Sequence, residues 1–235
     1  MKESKEWSRP EVLVFDVYGT LLDMSEVERR INVVTDSKRG YIVWFEMFMQ
    51  YCFANNSLDS FHDFMSIAKV TLQMTGRELG RSISEVEAND VMERLKQLPV
   101  HEEVQGCLSE LNDEGYRITA LTNAPEKTFC DRMERTGLIS YFETVWSAEA
   151  VRKYKPDRRV YEWAAQKLNV ATNDMLMITS HGWDIAGAKN AGMKTAYIKR
   201  SRQLLYPLSP EPDISCNALT ELSMALKERN GKLVE

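Results

Sequence analysis

The chain is poor in features that would place it in several large classes. It has four cysteines, Cys52, Cys107, Cys130 and Cys216, scattered with no CxxC pair. That spacing excludes a zinc-finger ligand set or a disulfide framework and leaves reduced, space-filling thiols as the expectation. No apolar run approaches the roughly 20 residues of a membrane-spanning helix. The opening Met1-Lys2-Glu3-Ser4-Lys5-Glu6 has no apolar signal core, so a cytoplasmic location is expected. A net charge of −5 gives no general attraction for nucleic acid or anionic lipid, so neither is expected as a partner. No internal repeat or low-complexity stretch appears. What remains is ordinary globular composition in 235 residues, long enough for one large core with a smaller inserted unit.

The apolar run Val12-Leu13-Val14-Phe15, bounded by Pro10 and Gly19, predicts a short buried strand. From about Val100 onward, helix and strand alternate. Helices are predicted over His101–Asp113, from Pro125 to Gly137, over Pro156–Leu168, over Asp184–Ala191 and over Leu219–Arg229. Strands are predicted over Arg117–Thr122, Thr144–Ser147, Met175–Thr179 and Lys194–Ile198. Repeated strand–helix units imply an α/β fold, a Rossmann-like parallel sheet with helices on both faces. Between about Leu21 and Leu98 there are amphipathic helical patterns, such as Tyr41–Phe53 and Phe61–Thr75, and no strand. The expected organisation is an α/β core of residues 1–20 and 99–235, with residues 21–98 inserted as an all-helical cap.

Each predicted core strand ends in polar residues. The first ends at Asp16, the second at Thr122-Asn123, and a later one at Thr179-Ser180-His181 with Asp184 just beyond. Lys155 precedes Pro156. Parallel strands bring these ends to one sheet edge, where open α/β sheets bind ligands. Asp16, followed by a tight glycine turn, is a candidate nucleophile. Lys155 can hold it ionised by charge pairing. Two residues after Asp16, where a second carboxylate would suit a proton donor to an oxygen leaving group, the chain has Tyr18.

Four segments, Phe-Asp-Val-Tyr-Gly-Thr-Leu from Phe15, Leu-Thr-Asn from Leu121, Lys-Pro-Asp-Arg-Arg-Val-Tyr from Lys155 and Ser-His-Gly-Trp-Asp-Ile-Ala-Gly-Ala-Lys from Ser180, occur in an order that resembles the haloacid dehalogenase superfamily. Tyr18, the block from Lys155 to Tyr161 and the Trp183-Asp184 pair are most similar to its type II (S)-2-haloacid dehalogenase branch. The resemblance implies that Asp16 attacks the carbon bearing a halogen and forms an ester, and that water activated near Asp184 then attacks the ester carbonyl. A short 2-haloalkanoic acid would become a 2-hydroxy acid and halide, with no cofactor. A halide leaves without a proton, which fits Tyr18 in place of an acid. Asp16, Lys155, Asp184, Thr122 and His181 are the expected catalytic residues. Tyr18, Phe45, Asn123, Tyr161, Thr179 and Trp183 are the expected substrate-side residues. Thr122 and Asn123 would donate to the substrate carboxylate or an oxyanion, and Tyr161 and Thr179 would orient Lys155 and Asp184. A homodimer is expected from the same resemblance.

Two positions depart from that branch. Its arginine after a cap tryptophan falls on Phe45, following Trp44, with Arg39 nearby in sequence. Its asparagine in the last motif falls on His181, which could position the hydrolytic water or act as its base. Other hydrolases of the same scaffold stay open as alternatives. One is a phosphatase with Mg²⁺ on Asp16, Asp184 and the Tyr18 carbonyl. Another is a C–N bond hydrolase of small amino acids. A non-catalytic binding protein is a third alternative.

Overall fold

The computed structural model describes residues 7–231. Six strands, β1 (Val12–Phe15), β2 (Arg117–Thr122), β3 (Thr144–Ser147), β4 (Met175–Thr179), β5 (Lys194–Ile198) and β6 (Ile214–Cys216), form one sheet in the order β3-β2-β1-β4-β5-β6. Every neighbouring pair is parallel. The helices in chain order are α1 (Ser25–Val34), α2 (Gly40–Ser57), α3 (Phe64–Glu78), α4 (Glu85–Lys96), α5 (Val104–Asp113), α6 (Glu126–Thr136), α7 (Arg158–Leu168), α8 (Gly182–Asn190) and α9 (Leu222–Gly231). The α/β expectation holds. β1 and β4 are buried along their whole length, so they read as continuous apolar runs rather than alternating ones. Their two faces still separate by period two. Leu13 and Phe15 join a core with Leu108, Leu111 and Leu226, while Val12 and Val14 pack with Val160, Ala164 and Ala188.

The chain runs outward from β1 through β2 to β3, then returns beside β1 and runs the other way through β4, β5 and β6. The reversal lies between β1 and β4, and the carboxyl ends there form the crevice that such sheets use for ligands. Asp16 follows β1, and Ser180 and His181 follow β4.

Helices α1 to α4 lie between β1 and β2 in the chain. They are stitched to the sheet where the chain leaves and returns: Leu22 bridges Val100, and the Asp23 N–H donates to the Pro99 carbonyl at 2.8 Å. Within this segment α2 buries Trp44, Phe48, Met49 and Cys52, and the Trp44 indole donates to the Ala68 carbonyl of α3 at 2.9 Å. A capping box of Ser84 and Glu87 starts α4.

Several predicted boundaries shift. α5 starts at Val104 rather than His101, because the His101 N–H is taken by the Leu21 carbonyl. α7 starts after Asp157, whose carboxylate accepts from the Arg159 N–H, so Pro156 precedes the helix instead of sitting in its first turn. α8 begins at Gly182, two residues before the predicted start, with the His181 carbonyl accepting from Asp184 and Ile185. The last helix begins at Leu222 after a single 3₁₀ turn, Leu219–Glu221. The edge strand β6 had no sequence signal, since three residues following a proline-rich loop give too short a pattern.

One glycine sets the distance between the start of α7 and α8. A Cβ on Gly187 would lie 2.5 Å from the Pro156 Cβ and 2.6 Å from the Tyr161 hydroxyl. Gly187→Ala is therefore expected to destabilise the protein by about 1–3 kcal/mol through overpacking. Urea denaturation checks it, and an unchanged midpoint would show that α8 has room to move.

Candidate active site

The first turn after β1 is built on one carbonyl. Val17 O accepts from the N–H groups of Thr20, Leu21 and Leu22, and the turn passes through Gly19 at φ +79°. A side chain at Gly19 would be strained there and would also meet the His181 ring at 3.4 Å. The turn brings Thr20 back over Asp16, and the Thr20 hydroxyl donates to Asp16 Oδ2 at 2.7 Å. Thr20 Oγ1 in turn accepts from the Ser180 N–H at 3.0 Å, tying the ends of β1 and β4 together.

Lys155 arrives between two carboxylates. Its Nζ donates to Asp16 Oδ1 at 2.7 Å and to Asp184 Oδ2 at 2.8 Å. The other Asp184 oxygen accepts from the Tyr161 hydroxyl at 2.6 Å. Lys155, Asp184 and Tyr161 are fully buried and Asp16 is 4% exposed, so these charges sit in low dielectric. Burial alone would raise the Asp16 carboxyl, but the charges of Lys155 and His181 and the hydrogen bonds from Lys155 and Thr20 outweigh it and hold the group below its ordinary value. Burial likewise disfavours charged Lys155, and the two carboxylates override it and raise the ammonium above the usual lysine range. Burial and the neighbouring Asp184 push the Tyr161 phenol well up, so it remains a donor.

Above Asp16 lies a cavity of about 30 Å³ lined mainly by apolar side chains. Asp16, Tyr18, Thr122, Asn123, His181 and Trp183 line it from the sheet side, and Phe45, Phe48 and Phe64 are among the residues closing it from α2 and α3. Among the described residues, no arginine or lysine lines it. Arg39 is exposed and absent from the lining, so it does not stand in for the cation missing at Phe45. The walls are a column of rings: Tyr41 stacks on Phe45, Phe45 on His181, and His181 on Trp183 at 5.0 Å between centroids.

The predicted residues thus divide into those under the nucleophile and those facing the cavity. Lys155, Tyr161, Thr179 and Asp184 do not line the cavity. Tyr161 orients Asp184 as expected. Thr179 does not reach that network; its hydroxyl accepts from the His181 N–H at 3.1 Å, because the chain turns sharply into α8 there. Asn123 lines the cavity, and its carboxamide also brackets the Lys155 backbone, accepting from the N–H at 2.8 Å and donating one of its two N–H groups to the carbonyl at 3.3 Å. Thr122 Oγ accepts from the Ala124 N–H at 3.1 Å, which leaves its own O–H as a donor. His181 does not fit the role of base. Its Nε2 is 2.8 Å from the Tyr18 carbonyl, which can only accept, so that nitrogen carries a proton. Its Nδ1 lies 2.9 Å from Gln203 Oε1.

The same partners test the Mg²⁺ alternative. The Tyr18 carbonyl is occupied by His181, both Asp184 oxygens by Lys155 and Tyr161, and both Asp16 oxygens by Lys155 and Thr20. An ammonium stands where the two carboxylates would have to share a metal, so the donor set does not fit a divalent ion. Thr20 and Gln203 are site residues that the sequence reading left unassigned. Thr20 was legible as a hydroxyl one glycine turn from Asp16, whereas nothing in the sequence links Gln203 to His181.

A family model for haloacid dehalogenase-like hydrolases matches residues 13–198. The chain is 26% identical to the (S)-2-haloacid dehalogenase of Pseudomonas sp. (strain YL), over 94% of this chain and 96% of that protein. It is 26% identical to the haloacetate dehalogenase H-2 of Moraxella sp. (strain B), over 87% and 92% of the two chains. The solved L-2-haloacid dehalogenase of Xanthobacter autotrophicus superposes with a TM-score of 0.81 at 26% identity, covering 93% of this chain and 98% of that one.

The buried charges make stability depend on pH. The folded Asp16 carboxyl titrates below the ordinary aspartate range, so its contribution is complete above that range and is lost as pH falls through the lower folded value. Lys155→Met leaves two buried carboxylates without their cation and is expected to cost about 3–5 kcal/mol at neutral pH. The deficit should shrink as pH falls and the carboxylates protonate. Urea midpoints from pH 3 to pH 7 check both statements, and a deficit that grows toward acid would contradict them.

Proposed function

The chain belongs to the haloacid dehalogenase-like hydrolase family, and on that premise we propose that it hydrolyses short 2-haloalkanoic acids to 2-hydroxy acids through an ester on Asp16. The observation that carries the reading is a desolvated carboxylate, ionised by Lys155 from beneath, with its free face on a small apolar cavity. The similarity to (S)-2-haloacid and haloacetate dehalogenases supports it.

In this reading an Asp16 oxygen attacks the carbon bearing the halogen, and the halide departs with the bonding electrons. No acid is needed, which agrees with Tyr18. Tyr18 also keeps a second carboxylate away from an anionic substrate. Ring edges of Phe45 and Trp183 receive the halide with the weak positive edge of their quadrupoles. The Thr122 O–H is a donor to the substrate carboxylate. Esterification cancels the Asp16 charge and leaves Lys155 paired with Asp184. Water activated near Asp184 then attacks the ester carbonyl. The products are 2-hydroxy acid, halide and a proton, and Asp16 is restored. The reading includes no metal or cofactor. Helices α1 to α4, within residues 21–98, act as a cap over the core of residues 1–20 and 99–235.

The absence of a cation among the lining residues favours one second reading, C–N bond hydrolysis of a small amino acid, whose ammonium would bring its own charge to Asp16. Partners beyond the substrate are confined in this reading to a second copy of the chain, as a cytoplasmic homodimer. Among the described residues no helix is long and apolar enough to cross a membrane.

A panel of chloro-, bromo- and fluoroacetate, both 2-chloropropionates and cyclic amino acids is expected to give halide release from the short haloacids, unchanged by a chelator. A single turnover in heavy-oxygen water, with enzyme in excess, should place the label in Asp16 before product. Label passing straight into product would remove the ester, and activity retained by Asp16→Asn would remove the nucleophile. Sedimentation velocity is expected to give twice the 27.1 kDa chain mass, and a monomer would end the dimer reading.

A further inference from the structure

Lys155 lies in a segment without regular secondary structure, between a 3₁₀ turn that ends at Val151 and the start of α7. Its ammonium must nevertheless be placed to a few tenths of an ångström between Asp16 and Asp184. Two asparagines hold this segment, one on each side. On the sheet side, Asn123 brackets the Lys155 peptide groups as described. On the other side, Asn56, near the end of α2, brackets Tyr154: its Nδ2 donates to the Tyr154 carbonyl at 2.7 Å and its Oδ1 accepts from the Tyr154 N–H at 2.9 Å. In extended backbone the N–H and C=O of one residue point to one side and those of the next to the opposite side. Two carboxamides, each with a donor and an acceptor, therefore act as strand neighbours to residues 154 and 155.

The clamp is reinforced without being duplicated. The Tyr154 ring is fully buried, stacks on Phe61 at 5.5 Å and donates its hydroxyl to the His62 carbonyl. Lys153 pairs with Asp59, but that contact grips only a side chain, and Asp59 is largely exposed. Among the described residues on the helical side, Asn56 alone binds both backbone polar groups of Tyr154, the residue before Lys155.

We propose that Asn56 is a positioning residue for Lys155, by which the helical segment sets the ammonium against the nucleophile. Asn56 does not line the cavity; its side chain acts through the Tyr154 backbone, while its main-chain carbonyl accepts from the Lys153 ammonium at 3.4 Å. The groups that face the ammonium are Asp16 from the end of β1, Asp184 from α8 with Tyr161 of α7 behind it, and the Trp183 ring at 5.9 Å; His181 stands 3.5 Å from Asp16. With Asn56 removed, residues 153–155 lose one wall, the ammonium moves off Asp16, and the carboxylate loses part of its charge partner. The inference rests on the proposed role of Asp16 for its kinetic consequence, and on geometry alone for the state of Lys155.

The test compares Asn56→Ala with Asp59→Asn by halide release and by NMR of lysines labelled at Cε, the Lys155 signal being the one missing in Lys155→Met. For Asn56→Ala, kcat/KM should fall at least about tenfold, the size expected when a reacting group is misplaced by a fraction of an ångström. The acid limb of its pH profile should move to higher pH, because Asp16 is held ionised less well. Lys155 should release its proton at lower pH than in the parent. Asp59→Asn should stay within about twofold with an unmoved limb, since Asp59 is largely exposed and its contact holds only the Lys153 side chain, not the backbone of residues 154 and 155. An Asn56→Ala protein that melts earlier yet keeps the parent acid limb and Lys155 titration would reduce Asn56 to a structural contact and overturn the proposal. Should Asn56→Ala not fold, Asn56→Ser, which lacks the paired donor and acceptor, is read the same way. If the parent chain turns over no haloacid while Lys155 still responds to Asn56, the dehalogenase reading falls and this inference stands.

Discussion

One buried ammonium organises this molecule. Lys155 stands between Asp16 and Asp184 with no solvent access and pairs with both carboxylates. Removing three charges from water is costly, and their attraction offsets that cost only if the geometry is close and the remaining lone pairs are satisfied. Much of the surrounding architecture meets that condition. Thr20 and Tyr161 satisfy the outer carboxylate oxygens, Asn123 fixes the lysine backbone, and Gly187 allows α8 to approach Pro156 and Tyr161.

The arrangement divides the site into a charged floor and an apolar roof. The cation lies beneath the nucleophile and off the cavity surface, while rings from α2 and α3 close the opposite side. A carboxylate held this way is ionised yet poorly hydrated on its exposed face, which suits attack on an electrophilic carbon. The floor also bears on the fit of a metal. An ammonium occupies the space between the carboxylates, and His181 takes the Tyr18 carbonyl.

The fold was legible because its signals are strong and local. Apolar strands, glycine stops and a hydrophobic periodicity that changes after Gly19 gave five of the six strands and the helical segment in their right places. What failed was short or dictated from afar. β6 has three residues, and the start of α5 depends on a hydrogen bond from His101 to Leu21 across 80 positions. In the site, Asp16, Lys155, Asp184 and Tyr161 were legible as a set because parallel strands must bring their ends together. The hydrogen bonds that Thr179, Asn123 and His181 make to backbone groups were not legible, because each partner is placed by the turn or the crossing of elements around it.

The amino-acid sequence by itself determined the sheet, the sheet edge on which chemistry is possible, and the residue types gathered there, since these follow from periodicity and strand order. It also determined that Asp16 has no neighbouring acid two residues on, a matter of covalent order alone. Only the tertiary structure decided which of the gathered groups lie below the nucleophile and which lie above it, and that among the described residues no arginine or lysine lines the cavity. It alone joined Asn56 to Tyr154 and Gln203 to His181. Those pairings depend on where separate elements come to rest, and a hydrogen bond between residues 98 positions apart leaves no local pattern in the chain.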